Sequence, residues 1–358
     1  MGCQPNHCMN TGNEGENRSI FKTILLFATV LIILWMLHFL ASILMPLLFA
    51  ILLAIIFAPL MLWFAKKGWG NASALALTAT SMIVLLTGLI ATIAYSFSRL
   101  IASFPQYADN ISTRLSEFPA YTSEEYHTII DTYLASSIDV NQIIHIVTGV
   151  GLSITELITG VCIIVVLAIF TLYEILTVPT RYKAEHCKIP RFVNQISILF
   201  TQLIDYMIVR TKINLFTGFG TMLGLYIIGI DFAYLWGICA FILAYIPYVG
   251  FTISLIPALI LGFIQFGITG AILVIIIFSV VNLLTDILLF PYIASEDLNL
   301  SPFIVFFSVF FWAFIFGPFS SLIAVPITMA IKILLEQYDD TKWVAVFMSG
   351  NRAVKTDL

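Results

Sequence analysis

The sequence predicts an all-α, polytopic membrane protein with about eight transmembrane helices, some of them broken or re-entrant in the C-terminal half. Of its 358 residues, 60% are hydrophobic and only 10% are charged, and the mean hydropathy is +1.03. A soluble domain typically carries about 25% charged residues. Several apolar runs also reach the roughly 20 residues that a helix needs to cross a bilayer. The lipid bilayer is therefore the first expected partner.

The apolar runs divide the chain into segments. A polar tail, 1–20, precedes a first transmembrane group within 21–98. Residues 99–150 are acidic and carry apolar residues at helical spacing, which predicts amphipathic helices in an extracytoplasmic or interfacial region. A second transmembrane group lies within 152–335, and a polar tail, 336–358, follows it. The spans of the first group are predicted at 21–43, 46–65 and 72–98.

The second group is less regular than the first. A basic segment, 180–212, is predicted to be a cytoplasmic loop. The apolar run 251–266 is short and is broken by Pro257 and Gly262, which predicts a re-entrant element. The last run is too long for one straight helix and is interrupted at Gly317. The spans of this group are predicted at 152–178, 213–230, 232–249, 268–290 and 302–335.

The placement of lysine and arginine predicts the orientation, because cytoplasmic loops carry an excess of these residues. Basic residues occur before the first span, at Lys66 and Lys67 after the second, and throughout 180–212 after the fourth. These regions lie on one side if the spans alternate. That side is expected to be the cytoplasm, with both termini on it and the acidic region outside.

Prolines and glycines interrupt the stretch 246–335 at positions where simple membrane helices would be continuous. Lipid tolerates broken backbone only where protein or a water-filled cavity satisfies the freed peptide groups. Broken segments that flank an intramembrane carboxylate, here Asp286, therefore predict a transport path. The interruptions are Pro247, Gly250 and Pro257 at one end, and Gly317, Pro318 and Pro326 at the other.

Asp286 follows Asn282 by four residues, so the two share a face if the segment is helical. A charge near the bilayer centre costs roughly 2.5–3.5 kcal/mol on insertion scales. We therefore expect Asp286 to face protein or water. Two interpretations stay open: a proton- or cation-responsive site, or a carboxylate near a helix end, shortly before Pro291, that hydrogen-bonds a neighbouring helix.

Other polar residues at membrane depth have a functional and a structural interpretation. Asn214 and Gln265 could line a path or bond a helix backbone. Asp205 and Arg210 lie at helical separation, which favours an interfacial pair over a substrate clamp. Asp231 is expected to be a turn or cap residue.

Several function classes lack support in the sequence. It contains no nucleotide-binding loop, no dinucleotide glycine fingerprint, no His-Glu-x-x-His and no nucleophile elbow, so no enzyme and no cofactor is expected. Basic residues are too few and too scattered for nucleic-acid binding. The cysteines show no metal-like pairing and are expected to be free thiols, at Cys3, Cys8, Cys162, Cys187 and Cys239.

Four motifs in order resemble those of the AI-2E transporter family, which includes autoinducer-2 exporters and PerM-like permeases. The first is Tyr245-Ile246-Pro247-Tyr248-Val249-Gly250 with Pro257. The second is Asn282, Asp286 and Pro291, where the family shows a glutamine, an acid and a proline. The third is Leu298-Asn299-Leu300-Ser301-Pro302, and the fourth runs from Gly317 to Ala324-Val325-Pro326.

The resemblance implies a membrane transporter in a bacterial cytoplasmic membrane and a homo-oligomeric assembly. Ser320 and Asn299 stand where the family shows glycines, and Glu296-Asp297 makes a loop acidic where a basic residue is common. The substrate therefore does not transfer from the family. The candidate path residues are Asp286, Asn282, Pro247, Gly250, Pro257, Gln265, Pro291, Pro302, Gly317, Ser320 and Pro326.

Three functions remain open from the sequence. The first is secondary transport or export of a small solute, such as a signalling molecule, through the broken helices. The second is sodium/proton-type ion antiport on the same fold. The third is a non-transporting membrane scaffold, for which the region 99–150 is long enough to bind a partner protein.

Overall fold

The computed structural model describes residues 11–117, 158–175, 177, 191–289 and 300–350, and the regular elements in these ranges are all helical. Five helices there are long and apolar enough to cross a membrane. The prediction of a polytopic all-α membrane protein is confirmed. In chain order the α-helices are α1 Thr11–Phe39, α2 Ala41–Lys66, α3 Asn71–Glu117, α4 Ile158–Ile175, α5 Arg191–Ile228, α6 Ala233–Leu243, α7 Val249–Leu283, α8 Pro302–Phe316, α9 Ala324–Glu336 and α10 Lys342–Met348.

Three helices run well past the predicted ends of their spans. α1 begins at Thr11, inside the predicted polar tail. α3 continues to Glu117, into the predicted extracytoplasmic region, and residues 118–150 of that region lie outside the described ranges. α5 begins at Arg191, inside the predicted basic loop, and continues to Ile228. Its first half carries Leu199, Leu203 and Met207 at four-residue spacing, in one buried cluster with residues of α2 and α9. Because one apolar stripe suffices to hold a helix, the basic composition of this segment does not prevent the helix from forming.

α7 is a helical hairpin and not one straight helix. Gly267 has φ 67° and ψ −151°, outside the helical region, and separates an arm 249–266 from an arm 268–283. A Cβ on Gly270 would lie 2.2 Å from the carbonyl oxygen of Gly262, so the arms cross closely just behind the turn. Phe251 and Phe278 lie 6.1 Å apart, ring centroid to centroid, farther along the arms. The first arm contains the element predicted to be re-entrant, 251–266. The predicted breaks at Pro257 and Gly262 are wrong, because both residues lie inside this helical arm and the break falls at Gly267.

α5 and α6 are antiparallel and pack closely at two glycines. A Cβ on Gly218 would lie 2.8 Å from the carbonyl oxygen of Gly237, and a Cβ on Gly237 would lie 2.6 Å from the Cβ of Met222. α5 also packs against the second arm of α7, where a Cβ on Gly224 would meet Ile277 at 2.6 Å. Small residues let membrane helices approach closely enough for dispersion to hold them together. α6 and the second arm of α7 therefore both pack directly against α5.

The last apolar run also folds back on itself. α8 ends at Gly317, whose φ of 90° favours glycine, and a 3-10 turn, Pro318–Ile323, leads into α9. The Trp312 indole Nε1 donates a hydrogen bond to Thr328 Oγ1 at 2.9 Å, which joins α8 to α9. The predicted interruption at Gly317 is thus the turn of a second hairpin.

A polar cluster fixes the turn of the α7 hairpin. Tyr107 Oη of α3 donates to Asp231 Oδ2 at 2.7 Å, and Gln265 Nε2 donates to the same oxygen. The backbone N–H of Asp231 donates to Gln265 Oε1 at 3.2 Å. Burial, followed by the hydrogen bond to Asp231, raises the pKa of Tyr107 above its usual range. The cluster ties the turn of the hairpin to α3 and to the α5–α6 connection.

Replacing Gly250 by alanine tests the close approach between α6 and α7. A Cβ at Gly250 would lie 1.8 Å from the carbonyl oxygen of Leu243, and that backbone atom cannot swing away as a side chain can. Overpacking costs about 1–3 kcal/mol, so we expect Gly250→Ala to lower the thermal unfolding midpoint in detergent by several degrees. Gly88→Ala is the matched control, because nothing lies within 4 Å of its added Cβ. Equal midpoints for both variants would contradict the close contact.

Replacing Tyr107 by phenylalanine tests the polar cluster through pH. Since the pKa of Tyr107 is raised in the folded state, the unfolded chain releases this proton first as pH rises past about 10. The contribution of Tyr107 to stability is therefore complete below about pH 10 and declines above it. We expect Tyr107→Phe to cost about 1 kcal/mol at neutral pH, and this difference should shrink in alkaline buffer. In an Asp231→Ala background the same substitution should have little effect; an unchanged effect would exclude Asp231 as the partner.

Candidate functional site

A cavity of about 490 Å³ lies where the broken elements meet. α5 forms one wall, and the junction between α6 and α7 forms another. The arms of α7 and the N-terminal ends of α8 and α9 complete the lining. The volume falls within the range of roughly 300–1,000 Å³ typical of small-molecule sites. Its lining residues are Tyr206, Arg210, Asn214, Thr217, Thr221, Ala240, Ala244, Ile246, Pro247, Tyr248, Phe251, Ser254, Phe278, Asn282, Leu300, Pro302, Val305 and Val325.

α5 contributes a polar stripe to the cavity. Arg210, Asn214, Thr217 and Thr221 recur at spacings of three and four residues, which places them on one face of the helix. Asn214 and Thr221 are almost completely buried. Thr217 Oγ1 donates to the carbonyl of Ile213 at 3.1 Å, inside its own helix. The stripe therefore brings hydroxyl and amide groups, with one cation, into an otherwise apolar wall.

Side chains of α5 also form hydrogen bonds with the chain between α6 and α7, where the helix is interrupted. Arg210 Nη2 donates to the carbonyl of Ala244, at the C-terminal end of α6. With its amide oriented to match its neighbours, Asn214 donates to the Arg210 carbonyl at 3.2 Å and accepts from the Tyr245 N–H at 3.3 Å. Thr211 Oγ1 and Tyr245 Oη form a hydrogen bond of 2.7 Å. Three side chains within five residues of α5 thus hold the end of α6.

The chain turns sharply after this junction. Tyr248 has φ 64°, an uncommon value for a residue other than glycine, and it lines the cavity. The N–H of Val249 donates to the carbonyl of Pro247 at 2.7 Å, and the N–H of Gly250 donates to the carbonyl of Ile246 at 3.0 Å. Pro247 has no backbone N–H to donate, which favours a break in the helix at this position. These contacts convert the predicted break into a tight reversal beside the cavity.

The cavity is closed toward the turn of the α7 hairpin. A buried apolar cluster, which includes Trp236, Ala258, Val274 and Phe278, fills the space between the cavity and the Tyr107–Asp231–Gln265 cluster. From Arg210 to Thr221 the polar stripe covers about 16 Å of α5, and Arg210 lies about 27 Å from Ile228, the end of the helix. The cavity therefore lies toward the Arg210 side of this stretch of α5, away from the hairpin turn.

Three of the candidate path residues line the cavity, and the other described candidates lie outside its lining. Pro247, Asn282 and Pro302 line the cavity. Gly250 and Pro257 lie on the first arm of α7, and Gln265 belongs to the polar cluster at its turn. Ser320 is buried at the second hairpin, where its hydroxyl oxygen lies 2.7 Å from the carbonyl oxygens of both Trp312 and Gly317 and shares its one proton between them. Pro326 follows the lining residue Val325 in α9.

The acidic candidate lies on a π-helical turn. The second arm of α7 continues into this turn, Leu284–Leu289, which contains Asp286 one helical turn beyond Asn282. Thr285 Oγ1 bonds the carbonyls of Val281 and Asn282 at 2.9 and 3.2 Å at the start of the turn. The side chain of Asp286, and Pro291 entirely, lie outside the described part of the structure.

Sequence reasoning assigned Arg210 to an interfacial pair with Asp205, but the structure separates these residues. Asp205 is exposed, and among the described side chains no carboxylate lies within 4.0 Å of Arg210. Arg210 instead lines the cavity. The available signal was the spacing of Arg210, Asn214, Thr217 and Thr221, which places four polar groups on one face of a long apolar helix.

Comparison with known proteins agrees with the fold. Residues 25–340 match the AI-2E family transporter family. The putative transport protein YhhT of Escherichia coli K12 is 26% identical over 334 residues, covering 92% of this chain and 94% of the relative. The AI-2 transport protein TqsA of the same strain is 26% identical over 328 residues, covering 92% and 95%. A putative transport protein of Haemophilus influenzae is 27% identical over 337 residues, covering 91% and 95%.

The match covers both hairpins and the helices that surround them, so all four sequence motifs lie within the matched region. The apolar helices agree with the membrane location that this family implies. The chain is therefore a multi-pass membrane protein and belongs to the AI-2E transporter family.

Proposed function

We propose that this protein is a secondary transporter that exports a small solute, such as a signalling molecule, through the cavity between α5 and the α7 hairpin. The observation that carries the proposal is a mostly apolar cavity with one polar stripe, built at a helix break and closed at one end by a packed cluster. Transporters of several folds bind substrate beside discontinuous helices. The relative TqsA is named an AI-2 transport protein, which makes autoinducer-2 the first solute to test.

The α7 hairpin is the element whose movement would expose the cavity to the closed side. Its turn is held by Asp231 and Gln265, and its arms carry the cavity residues Phe251, Ser254 and Asn282. A rigid unit that contacts both the closed end and the solute site can couple the two. We infer that the cavity faces the cytoplasm of a bacterial inner membrane, as the basic residues near α2 and α5 predict. The homo-oligomer implied by the family resemblance stays a prediction.

Ion antiport is the second candidate, and the observation that favours it is the position of Asp286. This acid follows the lining residue Asn282 by one helical turn, on a π-helical segment. Such irregular turns occur frequently at functional sites. A carboxylate there could bind a proton or Na⁺ during transport. The two functions share the fold and differ in what crosses the membrane.

Filling the cavity tests the proposed path. Ser254 is 2% exposed and lines the cavity, so Ser254→Trp should place an indole in the space that a solute would occupy. We expect loss of at least 90% (roughly tenfold) of autoinducer-2 efflux from proteoliposomes, about 1.4 kcal/mol in transition-state terms. The control is Ile260→Trp on the same arm, where the side chain is 54% exposed and faces away from the core.

Full flux in Ser254→Trp, with the protein folded, would contradict a path through this cavity. No flux in the wild-type protein, with either autoinducer-2 or an imposed ion gradient, would favour the scaffold function. A partner protein that co-purifies stably would strengthen that result.

Replacing Asp286 by asparagine separates the two transport functions. If Asp286 carries protons, Asp286→Asn should abolish the dependence of solute efflux on a pH gradient, while efflux down the solute's own gradient continues. Asparagine preserves the size of the side chain and removes its titration. The measurement is efflux from proteoliposomes with and without a pH gradient. An unchanged dependence on the gradient would exclude Asp286 from coupling.

A further inference from the structure

We propose that the cavity binds a small monoanion with an apolar body, and that the Arg210 guanidinium supplies the opposing charge. This inference rests on the proposed transport function and names the class of solute for the same cavity. Nothing in the family match or in the names of the relatives assigns a role to this residue. The juxtaposition that carries the inference is one arginine without a described carboxylate partner in a mostly apolar cavity.

Arg210 is the one charged residue among those that line the cavity. An arginine side chain stays protonated in proteins, so its charge cannot be removed by proton release. A charge withdrawn from water is costly unless an opposite charge or several hydrogen bonds compensate for it. Within the described part of the chain, no carboxylate provides that compensation.

The hydrogen bonds of Arg210 are also incomplete. A guanidinium has five N–H donors, and Nη2 uses one of them for the Ala244 carbonyl. Nε is buried and has no hydrogen-bond partner among the described residues. Nε is shielded from solvent, so the donors left for a solute carboxylate are the remaining N–H groups at the Nη1–Nη2 end of the guanidinium.

A purely structural role is the competing explanation. By bonding the Ala244 carbonyl, Arg210 places its charge at the C-terminal end of α6, where a cation is favourable. That role needs one donor and leaves the unpartnered Nε unexplained. It also does not require a cavity on the other side of the guanidinium. Both roles can coexist, so the experiment must separate charge at the cavity from support of the helix end.

The remaining lining determines the rest of the solute. Thr217, Ser254 and Asn282 offer neutral hydrogen-bonding groups, and Phe251 with Phe278 forms an aromatic wall. One cation balances one negative charge, which favours a monoanion over a phosphate dianion. The same cation repels a metal cation or ammonium group from the cavity. The site chemistry therefore fits an aromatic or branched monocarboxylate.

The test compares two ligands of nearly equal shape on the purified full-length protein. Radiolabelled benzoate carries the charge, and benzamide is its neutral counterpart. A hydrogen bond to a charged group is worth about 10- to 100-fold in affinity, so we expect wild-type protein to bind benzoate at least about 10-fold more tightly than benzamide. Equal binding of the two, or no saturable binding of benzoate at millimolar concentration, would overturn the proposal without requiring any variant.

Two substitutions then assign the preference to Arg210. Arg210→Gln removes the charge and keeps an amide that can donate to the Ala244 carbonyl, so it should abolish the preference for benzoate while benzamide binding stays unchanged. Arg210→Lys keeps the charge without the planar fork and should retain part of the preference. A preference for benzoate that survives in folded Arg210→Gln would overturn the assignment. Thermal unfolding of each variant reports any loss of support at the end of α6.

Asp286 provides the decisive control, because its side chain could itself pair with Arg210. If it does, wild-type protein will show no preference for benzoate, and Asp286→Asn will acquire one. That outcome would overturn the proposal, because Arg210 would then form an ion pair within the protein.

Efflux of a neutral solute by a protein that does not bind benzoate would leave the transport function intact and reject only the anionic class of solute. If the protein binds benzoate but transports no solute, the transport function is rejected and the anion-binding site beside Arg210 is retained.

Discussion

A helix that ends inside a bilayer leaves peptide groups that lipid cannot satisfy, and the architecture of this protein depends on how those groups are satisfied. α6 is only 11 residues long, about 16 Å, and is therefore much shorter than the roughly 30 Å of a membrane core. Arg210, Thr211 and Asn214 of α5 contact Ala244 and Tyr245 at that end. Without these contacts the reversal into α7 would expose backbone to lipid. The cavity exists because the reversal leaves room beside α5.

Close packing allows α5 to reach the break. Gly218 and Gly237 permit α5 and α6 to approach nearly backbone to backbone, and Gly224 allows the second arm of α7 to approach from another side. In lipid, such close packing replaces the hydrophobic effect as the force between helices. The polar stripe of α5 is consequently enclosed by apolar elements, which gives each of its hydrogen bonds a protected environment.

The two hairpins are built alike, but their surroundings differ. Each turns at a glycine with positive φ, Gly267 in one and Gly317 in the other. At the second, Ser320 bonds the backbone of α8 and the Trp312–Thr328 hydrogen bond joins the two arms, so the turn has a structural role. At the first, the turn is held by side chains from other helices while the arms border the cavity. Both hairpins border the cavity, but the Trp312–Thr328 hydrogen bond joins the two arms of the second, which makes the first the better candidate for a moving element.

The sequence by itself determined the membrane class, the family and the breaks at Pro247 and Gly317, because hydropathy, proline and glycine act locally. It missed the hairpin turn at Gly267, and the predicted interruptions at Pro257 and Pro326 lie inside helices. It also identified Asn282 and Pro247, which line the cavity. Only the tertiary structure decided that Gln265 serves the hairpin turn, that Ser320 is structural and that Arg210 faces the cavity. These assignments depend on which helix packs against which face. A break in the chain is a local property, whereas the partner that satisfies it comes from residues distant in sequence.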